Sequence, residues 1–136
     1  MDSSNELNKI KLYNMDFFIR QGSTKPRLKL RLIDDGSNDK SSFNDMLENS
    51  NITFEMTNVK TEQPKTLNGQ CFLTTRTKKY DQTTDEYYIV YNFQESDTSE
   101  KGRYEGIVTI QFLDTNLNPT GSLIVPIKEK LYVNVI

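Results

Sequence analysis

Residues 97–114 read DTSEKGRYEGIVTIQFLD. The run opens with charged and turn-forming residues, Asp97 to Gly102, and then alternates. Tyr104, Gly106, Val108, Ile110 and Phe112 fall on one face. Arg103, Glu105, Thr109 and Gln111 fall on the other, and only Ile107 and Leu113 break the pattern. Successive side chains of a strand point to opposite faces, so this stretch reads as a half-buried antiparallel strand.

The entry to the strand carries a second signal. Glu100, Gly102, Tyr104 and Gly106 stand in the order acid-x-small-x-Tyr-x-small. That order resembles the tyrosine corner of immunoglobulin-like sandwiches, in which a Tyr near the start of a strand bonds back to the upstream backbone. The alternative is a hairpin whose first strand residue happens to be Tyr.

Upstream, residues 86–93 (EYYIVYNF) place Tyr87, Ile89, Tyr91 and Phe93 on one face and Tyr88 and Val90 on the other. Apolar residues on both faces mark a central strand. Residues 78–86 connect it, as a hairpin, to a strand over 66–78 with a break at Asn68-Gly69. That strand puts Cys71 and Leu73 on one face and Phe72 on the other. Residues 52–56 (ITFEM) form a short strand, and 58–65 a loop containing Pro64. Residues 27–33 form a clear strand with Pro26 at its entrance, where proline is tolerated. Leu28, Leu30 and Leu32 point one way, Lys29 and Arg31 the other, and Asp34-Asp35-Gly36 is a turn. The polar stretch 37–51 allows one or two helical turns over SSFNDMLENS. Ser41 or Ser42 would cap them, and Phe43, Met46 and Leu47 would form the apolar stripe. Residues 9–18 predict a first strand with Ile10, Leu12 and Phe18 on one face, preceded by a loose arm over 1–9.

Downstream, 114–121 is a turn fixed by Pro119 and Gly121. Residues 122–136 form a final strand or a bent strand pair. Leu123, Val125 and Ile127 alternate before Lys128-Glu129-Lys130, and Leu131, Val133 and Val135 alternate after it. Pro126 lacks a backbone donor and predicts a sheet edge or a switch between sheets. Together these segments predict an all-β, immunoglobulin-like antiparallel β-sandwich of about seven or eight strands with at most one short helix. It would be a single domain over 10–136.

Composition narrows the function classes. The chain has 136 residues, enough for a core without disulfide staples. Seventeen Lys and Arg against nineteen Asp and Glu give a net charge of −2, which argues against nucleic-acid and membrane-surface binding. No stretch approaches the ~18 apolar residues of a membrane span. The polar start, MDSSNELNK, lacks the apolar run of a signal peptide, and the expectation is synthesis and folding in a cytoplasm. There is no histidine, so Ser-His-Asp and Cys-His arrangements are excluded. Cys71 has no second cysteine to pair with and reads as a small apolar residue.

Other candidate chemistry reads as structure. Asp114-x-Asn116-x-Asn118 opens like a calcium loop, but the sixth and twelfth positions are Pro119 and Val125 rather than Gly and Glu, so an Asn-rich turn is the better reading. Asp34, Asp35 and Asp39 could gather a cation loosely; a solvated turn is preferred. Asn51-Ile52-Thr53 matches a glycosylation acceptor by chance. Arg27, Lys29 and Arg31 alternate along one strand face, and Lys78-Lys79 lies on a hairpin. A basic strand face can read phosphate backbones, but the polar outer side of a strand or a guard against edge pairing is preferred. Tyr88 could stack on a sugar, although packing of the tyrosines is preferred. Paired carboxylates for glycoside hydrolysis are not placed by the sequence. No catalytic residue, cofactor site or metal site is assigned, and the chain is expected not to be an enzyme.

The order of segments carries a further likeness. It runs Arg20-Gln21-Gly22, then RLKLRLIDDG (27–36), ITFEMTN (52–58), YYIVYNF (87–93), DTSEKGRYEGIVTIQF (97–112) and GSLIVPIKEKLYVNVI (121–136). This resembles the immunoglobulin-like N-terminal domain of tailed-phage upper baseplate proteins and related small virion proteins, including those of crAss-like phages. The resemblance implies a structural virion protein, either a capsid decoration or a tail, neck or baseplate component. It would be localised in the virion and would contact other virion proteins in multiple copies. Upper baseplate proteins carry further domains after this one, and this chain ends at Ile136, so attachment or decoration is expected rather than receptor binding. The alternative reading is a carbohydrate-binding sandwich module for cell-surface attachment.

Overall fold

The computed structural model describes residues 15–32, 47–77 and 85–136. The arm over 1–9, Ile10, Leu12, the turn at Asp34-Asp35-Gly36, Asp39, the Ser41 or Ser42 cap, Phe43, Met46 and Lys78-Lys79 lie outside them. Leu47, of the expected helical stripe, is helical and buried.

The protein is an all-β sandwich. Its strands are β1 (Met15–Ile19), β2 (Leu28–Leu32), β3 (Ser50–Asn58), β4 (Pro64–Gln70), β5 (Phe72–Thr77), β6 (Asp85–Tyr91), β7 (Gly102–Leu113), β8 (Pro119–Val125) and β9 (Leu131–Val135). One sheet has the order β1-β9-β7-β3-β4, with β8 also on β7; the other has the order β2-β6-β5. Counted along the chain, β2, β6 and β5 stand where strands B, E and D of an immunoglobulin-like sandwich stand. β3, β7 and β9 stand where C, F and G stand, and β4 extends that sheet.

β7 is the organising strand. It pairs with β3 over nine residue pairs, from Ser50↔Phe112 to Asn58↔Tyr104. Its inward residues Tyr104, Gly106, Val108, Ile110 and Phe112 are all buried. They meet Ile52, Phe54 and Met56 of β3, Leu131, Val133 and Val135 of β9, and Tyr87, Ile89 and Tyr91 of β6 in one core. Phe54 sits at its centre, with Tyr91 at a centroid distance of 4.6 Å and Phe93 edge-on at 6.1 Å. Each such ring buries a large apolar area in this core without Trp.

Three local readings are corrected. The strand expected over 66–78 is two strands in different sheets, parted at Cys71 rather than at Asn68-Gly69. A chain that changes sheet must leave one ladder before joining the other. β1 faces inward with Met15, Phe17 and Ile19, while Phe18 is 57% exposed. Phe17 stacks on Phe93 at 5.5 Å, and a one-residue register choice sends every neighbour to the opposite face. β1 also runs parallel to β9, from Met15↔Leu131 to Ile19↔Val135, so one pair departs from the antiparallel scheme. As the edge strand of its sheet, β1 needs only one ladder, which either direction provides.

Pro126 follows the end of β8, which among the described residues pairs only with β7, so of the two alternatives the sheet edge holds and the switch between sheets does not. β8 and β9 lie on the same side of β7, with Val125 opposite Val108 and Leu131 opposite Gly106. They are one strand position interrupted by residues 126–130, which leave the ladder where Ile107 alone stands opposite. Pro126, with no N–H to donate, begins that excursion.

Candidate functional site

The turn before β7 is a buckle between the sheets. Asp97 and Thr98 are 5% and 0% exposed, unusual for polar residues in a turn. Asp97 accepts three hydrogen bonds: from the Thr66 hydroxyl of β4 at 2.7 Å, the Tyr91 hydroxyl of β6 at 2.6 Å and the Gln94 amide at 2.8 Å. It thereby ties a strand of each sheet to the turn. The Thr98 hydroxyl donates to the Ser23 carbonyl at 2.8 Å, and the Gly22 amide donates to the Thr98 carbonyl at 2.9 Å. Tyr104 donates to the Glu100 carbonyl at 2.9 Å and is 1% exposed, so the tyrosine corner read from the sequence is formed.

Gly69 makes room for this buckle. A Cβ at that position would lie 2.6 Å from the Tyr91 ring. Burial raises the Tyr91 phenol well above its ordinary value, and the Asp97 carboxylate raises it further. Burial also raises Tyr104, with the Glu100 charge adding to it and a hydrogen bond to Asn58 opposing it. These groups are spent on holding the corner, which is a structural device.

The other singled-out residues are also placed. Asp114 Oδ1 accepts from the amides of Asn116 at 2.9 Å and Asn118 at 2.8 Å, so the calcium-like sequence is a self-bonded turn. Among the described residues no group of three or more potential metal ligands converges. Cys71 is buried at the sheet change, its thiol pushed up to about 12 by burial. Asn51 and Thr53 lie within the central strand β3, where Asn51 Oδ1 accepts from Gln70 at 3.3 Å. Arg27, Lys29 and Arg31 are exposed, and the Lys29 ammonium stands 4.4 Å from the Tyr88 ring. On the outer face of the larger sheet Arg103 lies 3.8 Å over Tyr132 and bonds Asp16 at 3.1 Å. Among the described residues Tyr88 and Tyr132 thus each have a cation on one ring face.

Among the described residues a cleft of about 490 Å³ lies on the flank where β2 and β8 part. Leu30 and Leu32 line one wall, Leu123 and Val125 the other. Pro126 and Ile127 of the excursion form its end, and Ile127 is 73% exposed. Lys29, Arg31, Lys128 and one carboxylate, Glu129, stand at its rim. Among the described residues β2 pairs only with β6, and β8 only with β7. Sequence reading missed both the Asp97 buckle and the cleft. The interruption of alternation at Lys128-Glu129-Lys130 was the available signal for the second. No protein-family model, curated protein or solved structure matches this chain.

Proposed function

We propose that this chain is a structural protein of a tailed-bacteriophage virion that acts by protein–protein contact. It would serve as a capsid decoration or as a tail, neck or baseplate component. The segment order from Arg20-Gln21-Gly22 to the final GSLIVPIKEKLYVNVI supports the reading. The observation that carries it is the cleft on the flank. Among the described residues, Leu30, Leu32, Leu123 and Val125 put apolar surface around a cleft between β2 and β8. Such a surface suits a protein neighbour. Its partners are other virion subunits, and its place is the particle, after synthesis in the host cytoplasm.

The test is recovery of the protein in purified particles at many copies, together with its position in an electron-microscopy map. A glycan array screened in parallel is expected to give no hits. Absence from the particles would overturn the proposal, as would glycan binding without particle association.

A further inference from the structure

Two local demands meet in β4. Leu67 and Asn68 stand against Glu55 alone, because the pairing steps from Met56↔Thr66 to Phe54↔Gly69. The extra residue of such a bulge leaves the regular strand conformation. Asn68 takes it up with a φ of 55°, in the left-handed region that Asn tolerates better than most residues. Its side chain is exposed. At the next position a Cβ would lie 2.6 Å from the Tyr91 ring, so glycine alone fits there. The two demands together write Asn-Gly, which occurs nowhere else in the 136 residues. In any asparagine the side-chain carbonyl carbon can close a five-membered ring with the following backbone nitrogen. A following glycine, having no side chain, hinders that closure least.

We infer that Asn68 is a site of slow, uncatalysed deamidation, and that one of its products loosens the Asp97 buckle. The Gly69 nitrogen gives its proton to hydroxide and attacks Asn68 Cγ. The new N–Cγ bond forms, the Cγ–Nδ2 bond breaks, and Nδ2 takes a proton from water and leaves as ammonia. Water then opens the cyclic imide at either carbonyl, leaving aspartate or isoaspartate at position 68. One water is consumed and one ammonia released, and nothing is oxidised or reduced. Gly69 is paired with Phe54, so the ring closes only when that pair opens. Opening beside a bulge costs less than unfolding the whole chain. Aspartate keeps the backbone and accepts the φ that asparagine has. Isoaspartate routes the backbone through the former side chain and adds a carbon to it just before Gly69. That displaces Gly69 beside the Tyr91 ring, whose hydroxyl donates to Asp97 at 2.6 Å. The inference does not rest on the virion reading.

The full chain is held in warm, mildly alkaline buffer, both folded and unfolded in urea. Peptides carrying position 68 are followed by mass spectrometry, and isoaspartate is counted by enzymatic methylation. Conversion at position 68 is expected in both states, at least tenfold more slowly in the folded one. Asn68→Gly, which accepts a φ of 55°, keeps the urea midpoint and abolishes the conversion. The isoaspartate fraction, separated by ion exchange, unfolds at lower urea than the unconverted chain, whereas Asn68→Asp holds its midpoint. A folded chain still unconverted after about a hundred half-lives of the unfolded one overturns the inference, as do equal rates in the two states. An isoaspartate fraction with an unmoved midpoint overturns the link to the buckle. Each of those results leaves the protein's presence in particles untouched.

Discussion

Tyr104 and Tyr91 hold one turn from two different sheets, and each does so through its hydroxyl. Tyr104→Phe removes the donor to the Glu100 carbonyl and is expected to lower stability by about 1 kcal/mol or more. The check is a urea midpoint that falls with unchanged slope; an unmoved midpoint would show that the hydroxyl adds nothing. Asp97 has more at stake. Asp97→Ala leaves the Tyr91 and Thr66 hydroxyls and the Gln94 amide without their acceptor, two of them in the interior. The expected loss is about 3 kcal/mol or more, and Asp97→Asn, which keeps one acceptor oxygen, should lose less. Gly69→Ala tests the close approach of the Tyr91 ring. A Cβ at 2.6 Å forces the ring off its site, at a cost of about 1–3 kcal/mol from overpacking. A neutral result there would mean that the ring and its bond to Asp97 move together without strain.

At the scale of elements, β8 and β9 act as one strand with a loop pushed out of it. Between Val125 and Leu131 stand five residues, while their partners Val108 and Gly106 are separated by Ile107 alone. Four residues are therefore in excess of what the ladder needs. Deleting residues 127–130 and replacing Pro126 with Thr should give a continuous strand with stability within about 1 kcal/mol, because shortening a surface connection changes little. The same deletion removes Ile127 and Lys128 from the cleft. Its expected signature is a retained β-sheet circular-dichroism spectrum. Loss of the fold would show instead that the excursion is needed to aim β9 at β1.

For the molecule as a whole, three buried groups among the described residues make stability fall at alkaline pH. Cys71 is raised to about 12, and Tyr91 and Tyr104 are raised above their ordinary values, all chiefly by burial. Each is neutral when protonated, and the folded state keeps the proton longer than the unfolded state does. Their stabilisation is complete below the unfolded-state values, 9.0 for the thiol and 10.0 for the phenols, and is lost as pH rises through the folded-state ones. The urea midpoint should therefore fall above about pH 9. Cys71→Ala should remove the earliest part of that fall. A midpoint that holds to pH 11 would contradict it.

The two-layer fold, the central place of β6 and β7 and the inward residues of β7 were legible in the sequence, because a strand's period of two is a local property that burial of one face imposes directly. The Tyr104 corner was legible for the same reason: donor and acceptor lie four residues apart. What only the tertiary structure decided are the pairings between distant segments. These include the bond between Thr66 and Asp97, the parallel lie of β1 on β9, the change of sheet at Cys71 and the cleft between β2 and β8. Each depends on which strands become neighbours, and no periodicity within one strand encodes the identity of the strand beside it.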